Sequence, residues 1–259
     1  MAGELSLFRP EIIEADPAYL AIFARGCRAL GISPFLPACI VFTYEFPSRI
    51  AVTAVTEAFP GVPLVSSYGS TETGHVFTQC EHGTFHQNTT TCHVELQLFR
   101  PERGDPAVGR LLVSTLDNPW FTLLRFDSGD CGRLRGPKPC PCGRTEGMSL
   151  AAIEGRVRDL TFDTAGRAVT VKDLDDALSA VGALTAYQVE QPEPRRYVVR
   201  FTTDAGPALG EDVVGRLRAL YGDDARIETR QEAVIAPEQS GKFRLARSAL
   251  PIRPEELFA

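Results

Sequence analysis

Seven residues, Tyr68-Gly69-Ser70-Thr71-Glu72-Thr73-Gly74, put an aromatic ring, three hydroxyls and a carboxylate on one tight turn that follows the apolar run Pro63 to Ser67. That set suits a nucleotide with a divalent cation. An aromatic face stacks on a purine, hydroxyls and backbone groups hold phosphoryl or carboxyl oxygens, and a carboxylate is a hard ligand for magnesium. The same residues also suit a plain polar turn after a strand, in which Gly69 and Gly74 are ordinary punctuation.

A second set of chemistry-bearing residues is made of thiols and imidazoles. Seven cysteines, an odd count with no signal peptide before them, disfavour a disulfide framework and leave metal binding or simple burial. Cys27 and Cys39, beside a helical stretch and at the start of an apolar strand, read as core thiols. All four histidines fall between His75 and His93, beside Cys80 and Cys92, and Cys131, Cys140 and Cys142 follow near the Pro/Gly-rich knuckle Gly136 to Gly143. Thiolates and imidazoles from two separated loops are the ordinary way to close a tetrahedral zinc site. Cys140 and Cys142 share a turn whose backbone prolines fix, and Cys80 and His86 bracket a short loop that turns on Gly83. The favoured ligands are therefore Cys80, His86, Cys140 and Cys142, with His82 as the substitute for His86 and Cys131 as the reserve thiol. His75 and His93 read as surface or strand histidines. Four protein ligands leave no open position, so such a zinc would be structural.

Read onward from Tyr68, the chain resembles the carboxyl-terminal half of an adenylate-forming enzyme, in particular the phenylacetate–coenzyme A ligase branch of the acyl-CoA synthetase, adenylation-domain and luciferase superfamily. Four blocks carry the resemblance in the right order: Tyr68 to Glu72, a degraded ribose block Phe126-Asp127-Ser128-Gly129-Asp130, a hinge block Gly155-Arg156-Val157-Arg158-Asp159, and Ser240-Gly241-Lys242. The resemblance implies an enzyme that activates a carboxylic acid, aryl by analogy, with ATP and magnesium and passes it to coenzyme A or another thiol. It implies that Tyr68 stacks on adenine beside Gly69, Thr71 touches phosphate, Glu72 holds magnesium, Asp130 accepts from the ribose hydroxyls, Arg156 meets ribose or phosphate, and Lys242 steadies charge in the adenylation step. Some relatives in that branch carry a similar structural zinc. The family's Ser/Thr/Gly-rich phosphate loop has no counterpart before Tyr68, which implies a half enzyme, expected as a homodimer or with a partner chain that supplies the missing half, or else a fragment of a longer enzyme. Departures from the pattern are Asp127 where the ribose block has Arg, Arg158 in the hinge, and the bulky Tyr44 in Thr43-Tyr44-Glu45. They keep open the alternative of a non-catalytic or ATP-independent acyl-binding scaffold.

Composition narrows the classes. At 259 residues and 44% hydrophobic, the chain is long enough for two domains with real cores. A net charge of −6 argues against general nucleic-acid binding, which wants a basic face. Met1 to Pro10 lacks the apolar run of a signal peptide and no stretch has the apolar length of a membrane span, so the expected location is cytoplasmic.

The elements that must position these groups are expected as follows. A helix begins at Asp16-Pro17, an N-cap followed by proline at the first helical position, and ends near Gly31. Strand Cys39 to Tyr44, helix Pro47 to Phe59 and strand Pro63 to Ser67 then alternate as in a layered α/β domain. His93 to Phe99, Val108 to Leu116 and Phe121 to Phe126 read as strands of a compact β subdomain. Past a boundary near Arg158, strand Asp159 to Asp163, helix Val171 to Val181, strands Leu184 to Glu190 and Arg196 to Thr202, helix Glu211 to Tyr221 and strand Arg226 to Ala236 describe a small α+β domain. Gln191 to Pro194 reads as a hairpin loop and Asp204 to Leu209 as linker-like. The expected class is thus α/β: a partial adenylate-forming large domain with a zinc knuckle over 1–157, then a small lid domain over 158–259.

Overall fold

The computed structural model of the chain describes residues 1–204 and 209–259, and most of the linker-like segment Asp204 to Leu209 lies outside them. The described residues form two compact units, one made of Met1–Val94, Val113–Phe126 and Arg135–Ala151, the other of Glu95–Leu112, Asp127–Leu134 and Ala152–Ala259.

In the first unit, helix α1 (Ala2–Phe8) precedes strand β1 (Ile12–Ala15) and helix α2 (Pro17–Ala29); β2 (Cys39–Phe42), α3 (Arg49–Ala58) and β3 (Leu64–Ser70) follow. Local chemistry sets the helix starts. The Asp16 carboxylate accepts from the N–H groups of Ala18 and Tyr19, and the Ser48 hydroxyl accepts from Ala51. Strands β1, β2 and β3 run parallel, as βαβ connections require. The apolar faces of α2 and α3 close over them, with Leu20, Ala21, Val55 and Phe59 packed against Ile40 and Phe42. β4 (Gly74–Gln79) returns antiparallel to β3, β5 (Phe85–Gln87) pairs with β4, and β9 (Ser149–Arg156) pairs with β5 through Ser149 and Leu150.

Strands β6 (Cys92–Leu98), β7 (Val108–Thr115), β8 (Phe126–Leu134) and also β9 carry residues of both units, and their sheet order is β9-β8-β7-β6. The expected strand Phe121 to Phe126 is instead a loop, and the strand begins where that prediction ends. Asn118 turns the chain by accepting from the N–H groups of Trp120 and Phe121, Thr115 Oγ1 accepts from Leu123, and Arg125 takes a positive φ of 49°. These side-chain bonds take up the N–H groups of Trp120, Phe121 and Leu123 locally, and one backbone bond, from the Thr115 N–H to Leu123 O, joins the segment to β7.

The second unit continues with a 3₁₀ turn (Val157–Asp159), the hairpin β10 (Thr161–Phe162) and β11 (Ala168–Val169), α4 (Val171–Leu178), β12 (Leu184–Glu193), β13 (Arg196–Thr203), α5 (Leu209–Tyr221), β14 (Arg226–Gln231), β15 (Ala246–Ser248) and α6 (Pro254–Leu257). Its sheet is ordered β14-β13-β12-β15, with β12 and β13 antiparallel and the outer strands parallel to their neighbours. Thr170 and Asp173 form a reciprocal capping box at the start of α4. Three expectations change. The strand expected over Asp159 to Asp163 is reduced to Thr161–Phe162, the last strand stops at Gln231 rather than Ala236, and the Gln191 to Pro194 loop shortens because β12 runs on to Glu193. The hairpin instead turns at Pro194-Arg195, with Arg195 at φ 62°.

Candidate functional site

Of the Tyr68 to Gly74 stretch expected as one turn, Tyr68 to Ser70 continue strand β3 and Thr71-Glu72-Thr73 alone make the turn, where the parallel part of the first unit ends. β3 is the last parallel strand, and its C-terminal end leads through Thr71-Glu72-Thr73 into β4. Open α/β sheets bind ligands at the carboxyl ends of their parallel strands. Ser70 ties the turn from inside, its hydroxyl accepting from the Thr73 N–H at 3.2 Å and lying 3.1 Å from Thr73 Oγ1. Gly69 is required by close approach: a Cβ there would lie 2.0 Å from the Gly74 carbonyl oxygen. The Glu72 carboxylate is exposed, and hydrogen bonds from the Ser70 hydroxyl and its own backbone N–H hold it below the ordinary carboxylate range, so it is an anion at neutral pH. The Tyr68 ring lies 6.1 Å from Phe77, centroid to centroid, in a tilted pair. Thr43, just past the end of β2, is buried, and its hydroxyl has no hydrogen-bond partner among the described residues; Tyr44 after it takes φ 71°. An orphaned buried hydroxyl beside a left-handed residue marks the end of β2 as strained.

Cys80, His86, Cys140 and Cys142 come together in the same unit, one ligand atom from each lying within 4.8 Å of all the others. The hairpin geometry explains how. The Cys80 N–H donates to Thr84 O and the Gly83 N–H to Cys80 O, closing a turn in which Gly83 has φ 76°, and β5 then carries His86 back alongside β4. The knuckle closes in the same way, the Gly143 N–H donating to Cys140 O with Gly143 at φ 81°. Cys80 Sγ lies 3.7 Å from Cys140 Sγ, and Cys142 Sγ lies 3.3 Å from His86 Nε2. Two sulfurs on one tetrahedral zinc, each at about 2.3 Å, stand about 3.8 Å apart. The donor set therefore fits zinc. Ser149 Oγ lies 3.3 Å from His86 Nδ1, the outer contact that orients a ligating imidazole. The Thr84 hydroxyl heads the hydrogen bonds that bring the Cys140 thiol down to about 5, favouring the thiolate.

The two alternative ligands lie elsewhere. His82 is exposed beside Glu81, and Cys131 is fully buried in β8 of the second unit, its thiol pushed up by burial and then by the Asp130 carboxylate. His75 in β4 and His93 in β6 are exposed strand histidines.

The other candidates belong to the second unit. Asp130 lies on β8 with its N–H donating to Ser128 Oγ, while Gly129 at φ 73° donates to Asp127 Oδ1. Arg156 brings its Nε to 3.6 Å from Asp130 Oδ1, so these two predicted ligand contacts are neighbours. Asp127 is engaged by Arg110 at 2.7 Å. Lys242 is half-buried in a loop closed by Glu238 and by Gly241 at φ 81°, and among the described residues its ammonium has no hydrogen-bond or ion-pair partner. Two residues further on, Arg244 clamps the 3₁₀ turn, donating to Asp159 Oδ1 at 2.5 Å and to Arg158 O at 2.9 Å. Sequence reading missed Ser149, Thr84 and a pairing of Ser67 with His75, because isolated hydroxyls carry no pattern until the strands are in register.

No protein-family model matches the sequence, and neither does any curated protein sequence. Solved structures do match. 2-Hydroxyisobutyryl-CoA ligase in its postadenylation state, in complex with R3-HIB-AMP, superposes with a TM-score of 0.74 at 18% identity over 95% of this chain and 56% of that one. The amide bond synthetase McbA from Marinactinospora thermotolerans gives 0.65 at 17% identity over 93% and 52%, and the anthranilate CoA ligase AuaEII with anthranoyl-AMP gives 0.60 at 17% over 93% and 49%. The chain thus spans about half the length of the solved structures it matches. Over that span, its fold is the fold of the adenylate-forming enzymes.

Proposed function

We infer that this chain supplies part of a site that activates a small carboxylic acid, aryl by resemblance, with ATP and hands it to coenzyme A or another thiol. The observation that carries the reading is the Tyr68 to Glu72 turn, placed at the carboxyl end of parallel strand β3 with an ionised, exposed Glu72. In this reading the acid's carboxylate oxygen attacks the α-phosphorus of ATP and the bond to pyrophosphate breaks. Glu72 and Thr71 hold the magnesium-bound phosphate end, magnesium supplying charge neutralisation when bound. Tyr68 stacks on adenine over Gly69, Asp130 and Arg156 hold the ribose side, and Lys242, with no competing partner among the described residues, steadies the negative charge that builds between carboxylate and α-phosphate. The lid that carries Lys242 begins near Arg158. Structural zinc on Cys80, His86, Cys140 and Cys142 holds the β4–β5 turn and the knuckle together.

No Ser/Thr/Gly-rich phosphate loop stands before Tyr68, so the reading assigns that part to a partner chain or to a segment outside these 259 residues, in the cytoplasm where ATP and reduced thiols coexist. The Arg110 pair with Asp127, and Tyr44 at the end of β2, favour the second reading, an acyl-binding relative that has lost adenylation.

Pyrophosphate release with a panel of aryl and short-chain acids, measured on the chain alone and with a polypeptide encoded beside it that carries such a loop, separates the two. Release only in the mixture supports the first. Release by neither supports the second, and robust acid-dependent release by the chain alone overturns the need for a partner.

A further inference from the structure

The second unit holds a cavity of about 420 Å³ that the acid-activating reading does not use. The β10–β11 hairpin forms one wall. Asp163 Oδ1 accepts from the Ala165 and Arg167 N–H groups and Gly166 takes φ 82°, which fixes the tip of that hairpin. The Ala168 N–H donates to Arg103 O and Arg167 Nη2 donates to Gly104 O, so the turn between β6 and β7 is tied to the hairpin and brings Arg103 into the lining. Phe162 is held from the sheet. The fully buried Gln191 amide accepts from its N–H and donates to its carbonyl, each at 2.8 Å, and the Tyr197 hydroxyl donates to the same carbonyl at 2.6 Å. Ser248 Oγ donates to Gln191 Oε1 and accepts from the Leu250 N–H, which seats the last wall, contributed by residues between Leu250 and Leu257. Walls fixed by their own hydrogen bonds stand before any ligand arrives, so an occupant spends little binding energy on ordering them.

The lining combines an apolar surface with unspent positive charge. Phe162, Leu250, Pro251 and Leu257 supply the surface, and Arg103, Arg195 and Arg253 supply the charge. The three cations are unequally engaged. Arg253 pairs with Glu256 at 2.9 Å and Arg195 comes only to 3.8 Å from Asp224, whereas the Arg103 guanidinium has no hydrogen-bond or ion-pair partner among the described residues. The acidic side chains of the lining do not cancel it, because Asp163 Oδ1 is taken by its own turn and Glu256 by Arg253. A guanidinium presents paired N–H donors that match carboxylate or phosphate oxygens, and a preformed cavity of this size with a few polar groups suits one small organic molecule.

We propose that this cavity is a second ligand site, for a small organic oxyanion, a carboxylate or a phosphate ester, carried on an apolar body. The apolar body lies against Phe162 and Leu250, and the oxyanion takes the free Arg103, with Arg195 and Arg253 adding charge. The hairpin tip, the Pro194-Arg195 turn and the C-terminal residues all line the cavity, so an occupant joins three separate segments and stabilises the unit by mass action. The site shares no residue with the groups assigned to acid activation and does not depend on that assignment.

Calorimetry on the full chain at low salt, without ATP or magnesium, tests this with benzoate, octanoate, phenyl phosphate and inorganic phosphate. At least one organic probe should bind once per chain in the millimolar range or tighter, should bind at least about tenfold better than inorganic phosphate, and should raise the melting temperature. Arg103→Ala should weaken that probe by about tenfold or more, the effect of losing a charged hydrogen bond. Ala165→Trp, which fills the cavity from the exposed hairpin tip, should abolish binding while the unliganded protein melts as wild type does. Arg216→Ala, an exposed arginine of α5 outside the cavity, is the control and should bind unchanged. Tightest binding by benzoate or octanoate assigns the carboxylate, and tightest binding by phenyl phosphate assigns the phosphate ester. The proposal is overturned if no organic probe binds, if inorganic phosphate binds as well as the organic probes, or if affinity survives both Arg103→Ala and Ala165→Trp; each of these leaves the acid-activating reading untouched. Loss of the probe on Glu72→Gln or Lys242→Ala would place it in the activation site and overturn the second site as well.

Discussion

Replacing Cys140 by Ser gives the sharpest test of the metal centre. The four ligand atoms lie within 4.8 Å of one another, and the Cys80 and Cys140 sulfurs stand 3.7 Å apart, the spacing tetrahedral zinc imposes. Structural zinc sites supply on the order of 10 kcal/mol at neutral pH. If three remaining ligands kept two thirds of that, the variant would lose about 3 kcal/mol, which in a domain of this size lowers the melting temperature by about 10 °C. Elemental analysis of wild-type protein purified without added metal should find one zinc per chain. Cys140→Ser should hold its zinc more weakly, giving it up to a chelator that wild type resists, and melt lower by about that amount, and Cys140→Ser/Cys142→Ser should lose the metal. Cys131→Ser is the control, since that thiol lies in β8 outside the cluster and should leave the zinc content unchanged. Wild-type protein without zinc, or a Cys140→Ser variant with full metal and unchanged melting, would refute the reasoning.

Further outcomes follow from single contacts. Glu154 is 1% exposed and accepts from Arg133 at 2.5 Å and from Thr170 at 2.6 Å, so Arg133→Met should strand a buried carboxylate and cost about 3–5 kcal/mol in denaturant unfolding, with Glu154→Gln milder. Burial pushes the Asp105 carboxyl up, but the Ala107 N–H and the Arg133 guanidinium together pull it below its ordinary value. Its contribution is therefore present above the unfolded pKa, about 3.9, and lost as pH falls through the lower folded value; Asp105→Asn should flatten stability against pH in that range. Gly69→Ala must displace the Gly74 carbonyl and should cost about 1–3 kcal/mol, whereas Gly26→Ala, in open space on α2, should stabilise by about 0.5–1 kcal/mol in the same melts.

Much of this was legible in the sequence where local chemistry decides. The Asp16-Pro17 start of α2 and the β-branched and aromatic run of β13 needed only a few neighbouring residues. The grouping of Cys80, His86, Cys140 and Cys142 was legible because cysteine and histidine are scarce enough for spacing to speak. What escaped depends on long-range pairing. β1 is four residues between a proline and an N-cap, β5 is three, and β9 carries few β-branched side chains, so none has a pattern of its own until the sheet supplies partners. The loop at Phe121 to Phe126 looked like a strand because its large apolar residues satisfy the period, yet Trp120 and Leu124 are exposed and Asn118 and Thr115 take its backbone bonds. The Ser67 and His75 pair is invisible to spacing because a bulge, not a regular register, creates it.

Acid-dependent exchange of labelled pyrophosphate into ATP reports adenylation alone, before any thiol enters, and so bears most directly on the central claim. With a loop-bearing partner present, wild-type chain should support exchange that requires a carboxylic acid, and Lys242→Ala should lower it by about 10²–10³-fold, the usual effect of removing one group that stabilises developing charge. Exchange that is equal in wild type and Lys242→Ala, or that proceeds undiminished with Glu72→Gln, would contradict the assignment of this chain's residues to the chemistry of acid activation.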